Sequence, residues 1–417
     1  MLEILLCGML YIEYYVNKLE TNIKKLRRVF MRNFKFYNPT KMVFGKDTIS
    51  SIGKHVSSCG ITKVLLLYGK GSIFKNGVYD TVISSLKDNN IQYVEVSGVK
   101  ANPVVSKVRE AINIMRENDT EAIIAIGGGS VIDSAKAASA GFYYNGDVWD
   151  FFGKREEVKR ALPIFTILTI SATGSEMNSG GVITNEEEKK KWSFGSPLLY
   201  PVVSILDPSI QSSLPPIQTA NGAIDALSHV FELYFGGTDK TDMMDELSEG
   251  IIRTIIKHTP ILLKDPENYD SRSELSWCAT LALNGINGTG REGDWSSHSI
   301  EHSVSVLNDI AHGSGLAIVM PAWMKYVQNK AVDKFARFGE KVFNITEGSK
   351  EEIGLQAIER LREFYKSLGA PITLKEAGVK KEEIEFIASN AAIQEPLGTL
   401  MPLYKEDIRK ILEIGFE

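Results

Sequence analysis

Between Lys63 and Asp207 the chain alternates short apolar runs with stretches of helical spacing, and this alternation narrows the fold more than any other feature. "KVLLLY" (63–68), "IQYVEV" (91–96), "EAIIAI" (121–126), "LPIFTILTI" (162–170) and "PVVSILD" (201–207) read as strands. "GVYDTVISSLKDNN" (77–90), "VSKVREAINIMRENDT" (105–120) and "SVIDSAKAASA" (130–140) read as the helices between them. Strands apolar along their whole length are buried on both faces, and strands separated by helices pair in parallel. The first half therefore predicts an α/β domain with a mostly parallel sheet.

The pattern stops at "LDPSIQSSLPPIQTANG" (206–222), where adjacent prolines and polar residues punctuate the chain. Beyond it, helical spacing covers 222–235, 245–264, 271–287, 296–307 and 314–328 and continues to the C-terminus without a strand run. The expected organisation is an α/β domain over 31–210 and an all-helical domain over 211–417. Residues 1–30 stand apart. Their apolar run is broken by Glu3 and Glu13, is too short to span a bilayer, and has neither a charged region ahead of it nor a small-residue cleavage site. They are expected to be a poorly packed leader or a start-site artefact upstream of Met31, with an interfacial amphipathic helix as the alternative.

A net charge of −5 and the lack of any lysine/arginine stripe argue against nucleic acid as a partner. No membrane is expected as a partner. Cys7, Cys59 and Cys278 are widely spaced, odd in number and form no CxxC pair, so neither a disulfide scaffold nor a thiolate metal site is indicated. A reducing cytoplasm is expected.

The chain has only six histidines, and three of them, His298, His302 and His312, fall in "DWSSHSIEHSVSVLNDIAHG" (294–313). A fourth, His229, follows Asp225 by four residues in "NGAIDALSHVFE" (221–232). Residues four apart share a helix face. Either pair alone is ordinarily a surface hydrogen bond, but two such pairs in apolar helical contexts point to a shared site. Imidazole and carboxylate without thiolate suit a divalent transition metal, Fe²⁺ or Zn²⁺. Five such ligands would crowd out a substrate oxygen, so one histidine of the HxxxH pair ligates and the other faces the substrate. The spacing does not say which. His55 and His258 sit in polar surroundings and need no ligand.

Two glycine turns supply the other half of a reaction. In "IIAIGGGSVIDSAK" a buried strand runs into Gly127, Gly128, Gly129 and Ser130 and then into a helix. Such a turn brings free N–H groups and a helix N-terminus to a pyrophosphate. Ile132 stands where the common GxGxxG fingerprint would need its third glycine. After the first strand, "YGKGSIFKNG" (68–77) has no carboxylate to grip an adenosine ribose; Gly69, Lys70, Gly71 and Ser72 offer N–H groups, a hydroxyl and a cation instead. That favours NADP(H) over NAD(H).

With these residues in hand, the chain resembles the iron-containing (group III) alcohol dehydrogenases, in particular their butanol-dehydrogenase and aldehyde-reductase branch. The resemblance runs from about Met31 to the C-terminus through collinear motifs. Among them are "FYNPTKMVFGKDT", "AIGGGSVIDSAK", "LTISATGSEMNSGGVIT" and "LGTLMPLYKEDI", besides the histidine segments. It implies a dehydroquinate synthase-like two-domain fold, a homodimer, and a metal held by Asp225, His229, His298 and His312. His302 is then the free, catalytic histidine beside the nicotinamide. It further implies that Gly128, Gly129 and Ser130 cradle the phosphates with Asp133 nearby, that Asn102, Thr169, Asn178 and Lys191 line the dinucleotide, and that Ser72 matches an NADP-contacting position. Lys70, where glycine is usual, and Ser303, where the family commonly has "EHE", depart from the pattern.

The expected reaction is hydride transfer between nicotinamide C4 and the carbonyl carbon of a small aliphatic aldehyde such as butanal. The metal acts as Lewis acid and His302 lies on the proton route. A sugar-phosphate cyclase of the dehydroquinate synthase type would demand more cationic side chains than the apolar "AIDALSHVFELYF" context offers. A metal-dependent phosphohydrolase would want an adjacent His-Asp pair, which is absent. A non-catalytic nucleotide-binding or metal-storage protein is the remaining alternative.

Overall fold

A computed structural model of the protein describes residues 31–153, 155–238 and 240–417; the expected leader lies outside the described residues. Six strands form one parallel sheet: β1 (Lys41–Phe44), β2 (Lys63–Tyr68), β3 (Gln92–Val96), β4 (Ala122–Gly127), β5 (Ile164–Leu168) and β8 (Val203–Leu206). Their order is β1-β8-β5-β4-β2-β3. β4 sits between β2 and β5 with Ile124 opposite both Leu66 and Phe165. Every residue of β4 is buried, as a strand covered on both faces requires. Separate apolar clusters built around Leu65, Ile123 and Ile132 and around Leu66, Ile124 and Phe165 occupy the two faces.

The strands and helices expected between Lys63 and Asp207 are present, with helix ends shifted by a few residues. Two strand features go beyond the sequence reading. β1 is only four residues long and adds to the sheet edge beside β8. β6 (Gly180–Asn185) and β7 (Lys190–Gly195) form an antiparallel hairpin outside the main sheet. The hairpin's charged "EEEKK" turn and glycine-flanked ends hide it from a search for apolar runs.

The second half is helical among its described residues. Helix Pro216–Tyr234 starts directly after Pro215, whose successor needs no backbone donor at that position. It is buried along nearly its whole length, packed within the core that includes Phe231, Ile252, Trp323 and Leu361. Helices Asp242–Lys264, Tyr269–Leu283, Ser296–Asn308 and His312–Val327 follow. Helix Tyr269–Leu283 ends short of the expected 287 because Gly285 turns the chain at φ +98°. Among the described residues no helix is long and apolar enough to cross a membrane.

Candidate metal centre and coenzyme cleft

Asp225 and His229 lie on helix Pro216–Tyr234, His298 and His302 on helix Ser296–Asn308, and His312 opens helix His312–Val327. Gly313 sets the approach of the last of these. A Cβ there would stand 2.2 Å from the Asn221 carbonyl oxygen, so only glycine lets this turn seat against the first helix. The consequence is a cluster. His312 Nε2 and His229 Nδ1 each lie 3.6 Å from Asp225 Oδ1. The His229 and His298 rings stack with centroids 4.7 Å apart, and His298 lies 5.4 Å from His312.

A separation of 3.6 Å is too long for a hydrogen bond. Asp225 Oδ1, His229 Nδ1 and His298 Nε2 are all buried without a hydrogen-bond partner. Buried polar atoms are ordinarily satisfied, and three orphans converging within 4.8 Å of one another call for a common partner. One carboxylate and neutral imidazoles are the donors a divalent transition metal takes. The residues present therefore fit the cation that their types imply.

Two glutamates orient the imidazoles. Glu232 is fully buried, and its Oε1 accepts from His298 Nδ1 (2.8 Å) and from the His298 backbone N–H (3.1 Å). Its Oε2 accepts from the Trp295 backbone N–H at 2.5 Å. Glu301, also fully buried, takes a short hydrogen bond from His312 Nδ1 and another from the Ser305 hydroxyl. Each pairing leaves the far nitrogen of its imidazole free to ligate, the usual arrangement behind a histidine ligand. Neither glutamate was singled out from the sequence. The available signal was their placement three residues after a histidine on the same helix, in "HVFE" and "HSIE".

The electrostatics match a site built for positive charge. Burial raises the Asp225 carboxyl above its ordinary value, despite the pull of His312 and His298. Burial, reinforced by His298, holds His229 well below the usual imidazole range. Burial also pulls His298 down, but the Glu232 hydrogen bond and charge outweigh it and leave the group raised. Glu301 is pushed up by burial and pulled further down by His312 and Lys191, so it stays ionised. His302 is held well below its ordinary value by burial and by the Lys191 ammonium. A bound cation would stabilise the Asp225 carboxylate and replace protons on the imidazoles.

These residues open into a cleft of about 570 Å³ between the helical half and the sheet half. Asp225, His229, His298, His302 and His312 line it together with Asn102, Ser130, Asp133, Asn178 and Lys191. Lys191, on β7, reaches Asn102 Oδ1 at 3.2 Å and lies 3.5 Å from Glu301. Asn102 in turn donates to Asp309 Oδ1 at 2.8 Å, tying the sheet half to the loop before His312. The Asp133 carboxylate is engaged within the fold, accepting from Ser175 Oγ (2.6 Å) and the Val182 N–H (2.9 Å). Asn178 is held by the buried Lys136, whose ammonium also reaches Ser175 and Gly180.

Gly69, Lys70, Gly71, Ser72, Gly128, Gly129 and Thr169 do not line this cleft. Gly69 to Ser72 follow β2, with Lys70 exposed and Gly71 at φ +140°. Gly128 and Gly129 begin the helix after β4, where a Cβ would meet Ile170 Cγ2 at 2.2 Å and Thr173 Oγ1 at 2.3 Å respectively. The glycines thus let the 169–173 loop close over the helix N-terminus, and the Thr169 N–H bonds the Gly127 carbonyl at 3.0 Å.

Comparison with known proteins places this geometry. Residues 39–208 match the family described as iron-containing alcohol dehydrogenase, and residues 219–415 match the Fe-containing alcohol dehydrogenase family, C-terminal. The chain is 41% identical over 390 residues to NADH-dependent butanol dehydrogenase A of Clostridium acetobutylicum, covering 93% of this chain and all of the relative. It is 38% identical over 359 residues to the Escherichia coli NADPH-dependent aldehyde reductase YqhD, covering 85% of this chain and 91% of that one. The crystal structure of NADH-dependent butanol dehydrogenase A from Thermotoga maritima superimposes with a TM-score of 0.91 at 51% identity, over 93% of this chain and all of the other.

Proposed function

The chain belongs to the iron-containing alcohol dehydrogenase family, and from that premise we propose a specific reaction: interconversion of small aliphatic alcohols and aldehydes such as butanal. It uses NADP(H) in preference to NAD(H), a single Fe²⁺ or Zn²⁺, and works as a cytoplasmic homodimer. The broader class is alcohol dehydrogenase and aldehyde reductase, the activities named for its relatives. The observation that carries the proposal is the convergence of three unpartnered buried donors, Asp225, His229 and His298, beside a cleft that also takes in Lys191 and Asn178.

When bound, the cation supplies Lewis acidity toward a carbonyl oxygen and the reduced nicotinamide supplies the hydride. The chain's own residues do the rest. Asp225, His229, His298 and His312 would hold the ion, with Glu232 and Glu301 fixing the orientation of two of the imidazoles. His302 lines the cleft 5.5 Å, ring to ring, from His312. Burial and the Lys191 ammonium hold it well below its ordinary value, and as a neutral imidazole it would relay a proton, one ring nitrogen donating to the forming hydroxyl while the other accepts from solvent water. His302→Ala is expected to keep its metal while turnover falls by about 10²-fold, the lower end for a lost acid–base group. Metal analysis alongside steady-state kinetics measures both, and full turnover in the variant would remove the assigned role.

NADP(H) preference rests on Lys70 and Ser72, which follow β2 where a ribose-gripping carboxylate would otherwise stand. Lys70→Gly is expected to lower the NADPH-to-NADH ratio of kcat/KM by about two- to fivefold, the worth of one exposed charged contact. An unchanged ratio would leave Lys70 a solvent-facing lysine. The reaction itself is tested by following NADPH absorbance with butanal, with and without chelator. Chelator-insensitive turnover, or none, would count against the proposal. Against a sugar-phosphate cyclase, Lys191 is the only lysine or arginine among the described residues of the cleft, and it faces Glu301.

A further inference from the structure

Trp295 has a conformation that neither helix capping nor core packing explains. It stands at φ +63°, ψ +4°, immediately before helix Ser296–Asn308. A bulky side chain rarely adopts this left-handed backbone, and an outlier of this kind has to be held in place by its surroundings. Trp295 makes no side-chain cap to the helix it precedes. Its side chain is only half-buried, and it faces the cleft.

Three features hold it there. The Trp295 N–H is bound by Glu232, the same carboxylate that orients the His298 imidazole. The preceding Asp294 is buried and accepts from the backbone N–H groups of Thr399 (2.7 Å) and Leu400 (2.9 Å), which anchors the turn to the C-terminal segment. Gly293 makes room for the ring, since a Cβ there would lie 2.3 Å from the indole Nε1. The indole centroid is 5.5 Å from the His298 ring and 6.2 Å from the His229 ring. Leu283 and Ala391 line the same cleft.

We propose that Trp295 is a specificity-determining residue: its indole walls the space beside the cation site, offering a flat apolar face to straight alkyl chains and closing the site to aldehydes branched or aromatic next to the carbonyl. This rests on the reading that the cleft reduces aldehydes. Carbon chains attached to a carbonyl at the Asp225–His298 cluster meet the indole within the first few atoms, and apolar walls discriminate by shape over tens- to hundredfold ranges.

The test compares the metal-loaded protein with Trp295→Ala, Trp295→Phe and Gly293→Ala. Gly293→Ala keeps the indole but displaces it. Metal content is measured for each. One readout is kcat/KM for butanal, 2-methylpropanal and benzaldehyde. The second, independent of turnover, is calorimetric binding of the unreactive amides butyramide, 2-methylpropanamide and benzamide. Trp295→Ala is expected to raise the benzaldehyde-to-butanal ratio about tenfold or more, with a smaller shift for Trp295→Phe and a shift in the same direction for Gly293→Ala. The amide affinities should move in parallel. Should Trp295→Ala fail to fold, the other two variants decide the matter. Metal-replete variants with unmoved ratios in both readouts would overturn the proposal while leaving aldehyde reduction intact. If the unsubstituted protein reduces no aldehyde yet the amide preferences shift as described, the reaction assignment fails and the apolar wall stands.

Discussion

Protein carrying His298→Ala is expected to lose its metal and its turnover together. His298 Nε2 is one of the three buried atoms left without a partner, while its Nδ1 is fixed by Glu232. Removing the ring leaves Asp225 and His229 facing a gap that water cannot fill with a third imidazole. Burial already raises the Asp225 carboxyl, and without a cation nothing in the variant opposes that effect. A lost Lewis acid is worth roughly 4 kcal/mol of barrier, or about 10³-fold in rate. Asp225→Ala should behave alike. Metal analysis of the purified variant, with butanal reduction measured on the same sample, checks the coupling. A variant that kept stoichiometric metal and lost only turnover would mean that His298 does not ligate.

The second large effect is expected at a residue that touches neither metal nor substrate. Glu232 accepts from three donors, the His298 ring, the His298 backbone and the Trp295 backbone, and is itself fully buried. It thereby caps the N-terminus of helix Ser296–Asn308 from a neighbouring helix, where a negative group is favourable. Glu232→Ala would orphan all three donors. The expected cost is about 3 kcal/mol of stability and a ~10- to 100-fold drop in metal affinity. Glu232→Gln keeps one acceptor oxygen and should fall between the two. Urea unfolding and competition with a chelator of known affinity measure the two effects separately. Affinity unchanged beside a large stability loss would reduce Glu232 to a helix cap.

How much of this was legible in the sequence follows from the length scale of each signal. The DxxxH and HxxxH spacings are local, since residues four apart on a helix share a face; in the fold Asp225, His229 and His298 come together, while His302 groups with Glu301 and His312. The buried strands β2, β4 and β5 were legible because apolar runs of five or six residues have few other uses. The β6–β7 hairpin was not, because its strands alternate and its turn is charged, yet it delivers Lys191 to the cleft. Glu232 and Glu301 were present in the motifs but look like ordinary helix surface until tertiary packing buries them. Trp295 was illegible for a different reason: its proposed role depends on a backbone angle and on the room Gly293 leaves for the indole, neither of which a residue pattern encodes.

All four residues assigned to the ion come from three helices of the C-terminal half, and the glycine turns assigned to the dinucleotide all come from the sheet half. The residues assigned to the two recognition tasks therefore come from different halves of the chain. If the loop after β2 sets the coenzyme as proposed, substitutions there should change the NADPH-to-NADH preference and leave metal content untouched, because that loop lies in the other half of the chain.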